Sequence, residues 1–370
     1  MTLIALHFSH EATANYLVAG IPAAARAVHQ VALAAKEGGT VDCCVVVVAG
    51  GWVPSPWCLA ELARLAPSLR VELADSEALS ADADALHFRG EDLRPARMIL
   101  DLWRRTTEAR TVPPVRKVML EDALRELRGK GDAIIAATAK PSDGIVSRHI
   151  NRPVSRLISR MWLRVPGVKP VHATIVAAIL GLAMALCLCA GGEAGLVIGA
   201  VLFQLASIVD GVDGEIARAT YRSSRRGAML DSITDAATNL SFFAGLCFNL
   251  WREGHIYGAA AGAAGLVLLA VGLFLIGRQA HVSGGPFTFD AVKTRFGANP
   301  SRLTQWLTWL TMRDFYAAAA AICVVAGFAS QMLMLFAAIA AGWFIISMSV
   351  LGRAGDGNGT SVAGVAEGPS

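Results

Sequence analysis

An N-terminal α/β domain followed by an all-α domain of six transmembrane helices is the architecture this sequence predicts. Three observations lead there. The 370 residues are 54% hydrophobic, above the usual share for a soluble globular chain. Short β-branched runs alternate with helical patterns up to residue 139, and long apolar spans fill most of the remainder. Arg and Lys are sorted among the loops that join those spans.

The first domain, residues 1–139, carries strand candidates at Ala5–Phe8, Cys43–Ala49, Val71–Ala74 and Ala85–Phe88. Helical patterns at 20–37, 57–66 and 94–107 lie between or after them, so a mostly parallel sheet is expected. The seven cysteines are odd in number and form no CxxC pair. They read as small buried hydrophobes of a reducing compartment. No basic start followed by an apolar run marks a cleavable signal peptide. A net charge of +4 says little about partners, and no nucleic acid is expected.

Residues 140–170 form a basic connector. Arg152, Arg156 and Arg160 recur every four residues, with Val154, Leu157, Ile158, Met161 and Trp162 on the opposite face. Such a helix suits an anionic membrane surface, and membrane lipids are expected partners. It would also suit a soluble domain, but apolar spans follow directly.

Those spans occupy 171–190, 195–213, 231–250, 256–277, 314–330 and 332–351, each near the roughly 20 residues that cross a bilayer core. Basic residues gather before the first span, in the loop holding Arg218, Arg222, Arg225 and Arg226, between 278 and 313, and at Arg353. The alternate loops carry only Arg252. The positive-inside rule therefore places both termini and the basic loops in the cytoplasm of a bacterial-type inner membrane. The tail, 352–370, is rich in Gly, Ala and Ser and is expected to be disordered.

The chemistry lies at the second and third spans. Asp210 and Asp213 are three residues apart and share a helix face, which Gly214 and Ala217 continue. Gly227, Asp231 and Asp235 are four apart and form a stripe on the next helix. A hairpin of the two would gather all four carboxylates. Each aspartate at a bilayer centre costs roughly 2.5–3.5 kcal/mol, and like charges repel. A hard cation resolves both problems, and carboxylate oxygens suit Mg²⁺, Mn²⁺ or Ca²⁺. Small residues at Gly214, Ala217 and Gly227 leave room beside the carboxylates, and Arg218 offers a fork to a phosphate. The alternative is a set of solvated carboxylates paired with Arg222, Arg225 and Arg226.

The run Asp210-x-x-Asp213-Gly214-x-x-Ala217-Arg218, eight residues, then Gly227-x-x-x-Asp231-x-x-x-Asp235 resembles the signature of the CDP-alcohol phosphotransferases at all eight positions. The resemblance covers 171–351. It implies that Asp210, Asp213 and Asp231 are metal ligands for two Mg²⁺ (or Mn²⁺) ions, and that Asp235 is both ligand and general base. Gly214, Ala217, Arg218 and Gly227 would face the CDP moiety, with Thr174 from a Pro170-x-x-x-Thr174 start of the first span. The usual Asn after that proline is Val171 here. The implied reaction passes a phospho-alcohol group from a CDP-alcohol donor to an alcohol acceptor and releases CMP. A CDP-diacylglycerol and a CDP-inositol type of donor both fit, as does a homodimer. A membrane carrier or ion pathway and a non-catalytic anchor are the competing classes.

The connector Lys140-x-x-Asp143-Gly144-x-x-Ser147-Arg148-x-x-Asn151-Arg152-x-x-Ser155 and the run Arg313-Asp314-Phe315 are similar to two-domain di-myo-inositol phosphate phosphate synthases. In those a nucleotidyltransferase precedes the membrane domain. Here the first domain looks like a degenerate copy: Arg89-Gly90-Glu91-Asp92 resembles the metal-binding end of a strand, but no Gly-rich basic loop follows Ala5–Phe8. Arg222, Arg225, Arg226, Lys293 and Arg302 are candidates for an acceptor phosphate, against the plainer reading of each as a positive-inside loop charge.

Overall fold

The computed structural model describes residues 2–39, 43–49, 51–74, 85–106, 118–140, 143–282 and 313–356. The chain divides into two compact units. One comprises Met1–Pro141, Arg156–Pro170 and Gly214–Ser223, and the other Ser142–Ser155, Val171–Asp213 and Ser224–Ser370.

The first unit is built on strands β1 (Thr2–His7), β4 (Cys43–Val48), β5 (Arg70–Ala74) and β6 (Leu86–Arg89). They form one sheet in the order β5-β4-β1-β6, and every neighbouring pair is parallel, as the alternating pattern predicts. Parallel neighbours need crossovers. α2 (Ala23–Gly38) joins β1 to β4, and α3 (Pro56–Leu65) joins β4 to β5. α4 (Ala96–Thr106) follows β6. Ile4 and Leu6 of β1, Val45 and Val47 of β4, and Phe88 of β6 bury one sheet face together with Val28 and Val31 of α2.

Three features depart from the sequence expectation. The helix expected at 20–37 is present but starts three residues late, at Ala23. β2 (Leu17–Val18) and β3 (Ile21–Pro22) make a hairpin first, turned by Ala19 at φ 46° and Gly20 at φ 84°. Two positive φ values are the geometry that twists a two-residue hairpin correctly. A short helix, α1 (Glu11–Asn15), follows β1. The third is an unforeseen helix, α5 (Leu120–Ala136), which buries Ala123, Leu127, Gly131 and Ile135 at helical spacing.

The connector forms a π-helical turn at Ser147–Asn151 and then α6 (Arg152–Trp162). Its polar small residues face inward: Ser155 and Ser159 are buried. Leu157 and Met161 are more than half exposed. Arg152 departs from the expected basic face, being buried against Asp143 at 2.8 Å.

Among the described residues, the second unit is helical. α7 (Pro170–Ala190), α8 (Gly192–Ala219), α9 (Arg225–Arg252), α10 (Ile256–Val282), α11 (Arg313–Val325) and α12 (Ala329–Asp356) overlap the six apolar spans, α11 stopping five residues before the expected end of the fifth. α7 and α8 are long and apolar enough to cross a bilayer, and Ile256–Gly272, Asp314–Val325 and Ala329–Ile345 are shorter apolar stretches. α12 runs through residues 352–356, which the sequence assigns to a disordered tail. The rest of that tail lies outside the described residues.

Aromatic stacking centres the bundle. Phe203 lies on Phe242 with centroids 4.0 Å apart, and Phe243 on Phe336 at 3.8 Å. Glycine brings α10 and α12 together: a Cβ on Gly265 would stand 2.8 Å from the Ala337 Cα. Small residues at this spacing permit the close backbone approach typical of membrane helices. The outward face of α7 is apolar, with Ile175, Ile179, Leu182 and Leu186 at least half exposed along one stripe. Water would not tolerate that stripe cheaply, but lipid would.

Candidate metal and nucleotide site

α8 and α9 supply the site. α9 starts where Ser224 caps it, its hydroxyl accepting from the Gly227 N–H at 3.0 Å. That cap sets the phase of the helix, so Asp231 and Asp235 follow Gly227 one and two turns later. Asp210 approaches them from α8. One carboxylate oxygen each from Asp210, Asp231 and Asp235 lies within 4.8 Å of the other two. Asp213 is buried, also interacts with Asp231, and accepts from the Thr174 hydroxyl at 2.9 Å. Thr174 is thereby placed on a carboxylate of the site.

The residues fit a divalent metal. The donors are all hard oxygens. Asp231 Oδ1 is buried with no hydrogen-bond partner among the described residues. A buried lone pair left in that state costs about 1–3 kcal/mol, which a cation would recover. Like charges at this separation repel strongly where water is scarce.

The motif residues that follow lie in the segment Gly214–Ser223, which packs in the first unit. Arg218 donates from Nε to the Thr138 carbonyl at 2.8 Å. Its guanidinium lies over Gly214, where a Cβ would stand 3.0 Å from Nη1. Arg222 pairs with the buried Glu61 and stacks 5.3 Å over the Trp57 ring. Arg225 and Arg226 are exposed in the first turn of α9. Lys293 and Arg302 lie outside the described residues.

A polar cluster in the second unit escaped the sequence reading. Asp314 Oδ1 accepts from Asn151 Nδ2 at 3.0 Å and from the Ser207 hydroxyl at 3.1 Å. Gln204 Nε2 donates to Asn151 Oδ1 at 2.8 Å. Ser207 precedes Asp210 by three residues and Gln204 precedes Ser207 by three, so each lies beside the next along α8. That periodicity was the available signal. Arg313-Asp314-Phe315 marked the partner, but only the tertiary structure joins them.

Residues 169–351 match the family model described as CDP-alcohol phosphatidyltransferase. Among curated proteins, the chain is similar to a "Bifunctional IPC transferase and DIPP synthase" of Thermococcus kodakarensis, 34% identical over 166 residues, covering 45% of this chain and 36% of that one. A protein of the same description from Rubrobacter xylanophilus is 39% identical over 141 residues, 38% of this chain and 31% of the relative. One from Archaeoglobus fulgidus is 36% identical over 124 residues, 33% and 24% respectively. The matched stretch thus spans about a third of these relatives or less. With the signature intact and its carboxylates converging, the segment at residues 169–351 belongs to the CDP-alcohol phosphatidyltransferase family.

Proposed function

We propose that the chain transfers a phospho-alcohol group from a CDP-alcohol to the hydroxyl of a second alcohol, releasing CMP. The observation that carries this is the convergence of Asp210, Asp231 and Asp235 from two helices that bear the complete signature. Asp210, Asp213, Asp231 and Asp235 would hold divalent metal, Mg²⁺ or Mn²⁺, which when bound stabilises charge building on the leaving phosphate. Asp235, in the second helical turn of the stripe, takes the proton from the attacking hydroxyl. Gly214, Ala217 and Gly227 would face the CDP moiety, and Arg218, whose guanidinium lies over Gly214, offers it a planar cation. Thr174 orients Asp213 through its 2.9 Å hydrogen bond. Arg225 and Arg226, both exposed, remain candidates for an acceptor phosphate; Lys293 and Arg302 are candidates by sequence alone.

The connector's likeness to di-myo-inositol phosphate phosphate synthases favours a CDP-inositol type of donor over CDP-diacylglycerol. Relatives named for DIPP synthase activity point the same way. Six spans with both termini and the site on the cytoplasmic side agree with the sorted basic loops and with the outward apolar face of α7. The first domain is read as a degenerate nucleotidyltransferase. Supporting this, the Glu91 carboxylate accepts from the Ser9 N–H at 2.6 Å and the Thr13 hydroxyl at 2.9 Å, in the turn after β1 where such folds hold phosphate. Phe8 fills the space over Gly90, where a Cβ would stand 2.3 Å from its ring.

The test is CMP release by the purified full chain with Mg²⁺, using CDP-inositol or CDP-diacylglycerol as donor and inositol, inositol phosphate or glycerol phosphate as acceptor. Release with a CDP-inositol donor supports the reading. No release with any pair sinks it.

A further inference from the structure

The C-terminal end of α8 is held in an unusual way. Arg222 N–H donates to the Ala217 carbonyl at 2.8 Å, and Tyr221 N–H reaches the Arg218 carbonyl at 3.5 Å. This is a Schellman stop, whose left-handed residue is usually glycine. Here it is Tyr221, at φ 53°. A bulky residue in that conformation is strained, and the strain persists only where surrounding contacts offset it.

The side chain is used. The Tyr221 ring packs on His29 with centroids 4.5 Å apart and lies 5.3 Å from the Arg26 guanidinium. Its hydroxyl accepts from Arg26 at 3.3 Å and from Gln30 at 3.2 Å. Arg26, His29 and Gln30 share one face of α2. The backbone is gripped as well. Arg26 donates to the Ala219 carbonyl at 2.8 Å, and Arg64 of α3 donates to the Thr220 and Tyr221 carbonyls at 2.9 and 3.2 Å. Two guanidinium groups thus meet three consecutive carbonyls at the negative end of a helix dipole.

We infer that Tyr221 is a positioning residue: it latches the last turn of α8, with Ala217 and Arg218, onto α2, so that the N-terminal unit serves the transfer reaction as a mount for the signature. The inference rests on the transfer reading. It gives the N-terminal unit a role that needs no nucleotide chemistry of its own. It also separates Arg222, bound to Glu61, from the exposed Arg225 and Arg226.

Glycine distinguishes a latch from a helix stop. Tyr221→Gly relieves the strained φ and keeps the stop, while Tyr221→Phe keeps the ring contacts. In the purified full chain, Tyr221→Gly is expected to melt at or above the wild-type temperature, yet its amides at 220–222 exchange hydrogen faster. Its kcat/KM for the pair that wild type turns over falls at least about tenfold, the scale of a small misplacement of reacting groups. Tyr221→Phe stays within about threefold of wild type. Wild-type turnover in Tyr221→Gly, or unchanged amide exchange, overturns the inference. If wild type releases no CMP with any pair, the transfer reading fails, and faster or unchanged exchange in Tyr221→Gly decides for or against the latch by itself.

Discussion

Asp235 is set apart from its neighbours by its proposed role as general base. It is the last residue of the Gly227, Asp231, Asp235 stripe and shares the three-carboxylate cluster. Asp235→Asn keeps shape and volume while removing the proposed base. Turnover is expected to fall by more than about 100-fold, as for loss of a positioned general base, with membrane-extracted protein recovered at wild-type yield. CMP release at the wild-type rate would remove Asp235 from the role. Glu61 acts at the same scale in the first unit. Burial alone would raise its pKa, but hydrogen bonds from Arg64 and Arg222, with their charges, hold it below the ordinary carboxylate value. Arg26 adds a further nearby positive charge. The folded state therefore favours the ionised form. Its contribution is complete above the unfolded pKa, near 4.3, and is lost as pH falls through the lower folded value. Melting temperature should drop on acidification below about pH 4.3, and the drop should be shallower in Glu61→Gln. Equal slopes in the two proteins would show that the Glu61 pair does not couple to folding.

At the scale of elements, α7 through α12 show why an apolar span is an incomplete instruction. The period of apolar residues locates the helices, but it does not say which faces meet. Gly265 decides one such contact. It lies against the Ala337 backbone with no room for a side chain. Gly265→Leu forces α10 and α12 apart and should destabilise the bundle by about 1–3 kcal/mol, as overpacking does. A thermal shift in detergent would register it, and an unchanged midpoint would mean the helices separate without cost. The helix ends carry their own logic. Asn249 and Arg252 of α9 donate to the Leu188, Cys189 and Ala190 carbonyls, closing the end of α7. Glu253 accepts from the Gly192 N–H at the start of α8. None of these caps is local in sequence, so spacing alone could not reveal them.

For the whole molecule, orientation is the testable property. If the basic loops lie in the cytoplasm, single cysteines at Glu193 and Ser223 in a cysteine-free background should label from opposite sides of inverted vesicles. Labelling of both from one side would contradict the proposed topology. The division into units is equally a property of the whole. The N-terminal unit draws in Arg156–Pro170 and Gly214–Ser223, segments distant in sequence. Buried charges explain the attachment: Arg26 and Glu61 are almost fully buried, and each finds a partner in the second of those segments. Ser159 donates to the buried Glu215 at 2.6 Å, tying the two segments together.

The sequence by itself determined the parallel sheet, the helices of the second unit and the four aspartates, because periodicity and spacing are local and survive without neighbours. Val45 and Val47 read as a strand, and Gly227, Asp231 and Asp235 read as one helix face, before anything is folded around them. The tertiary structure alone decided what those faces meet. It brought Asp210 of α8 to Asp231 and Asp235 of α9, turned Arg152 inward to Asp143, and joined Asn151, Ser207 and Asp314 into one cluster. It also filled the turn after β1 with Glu91 and fastened Tyr221 to α2. Each of these depends on groups separated along the chain, and a hydrogen bond or an ion pair carries no trace in sequence until folding closes the distance.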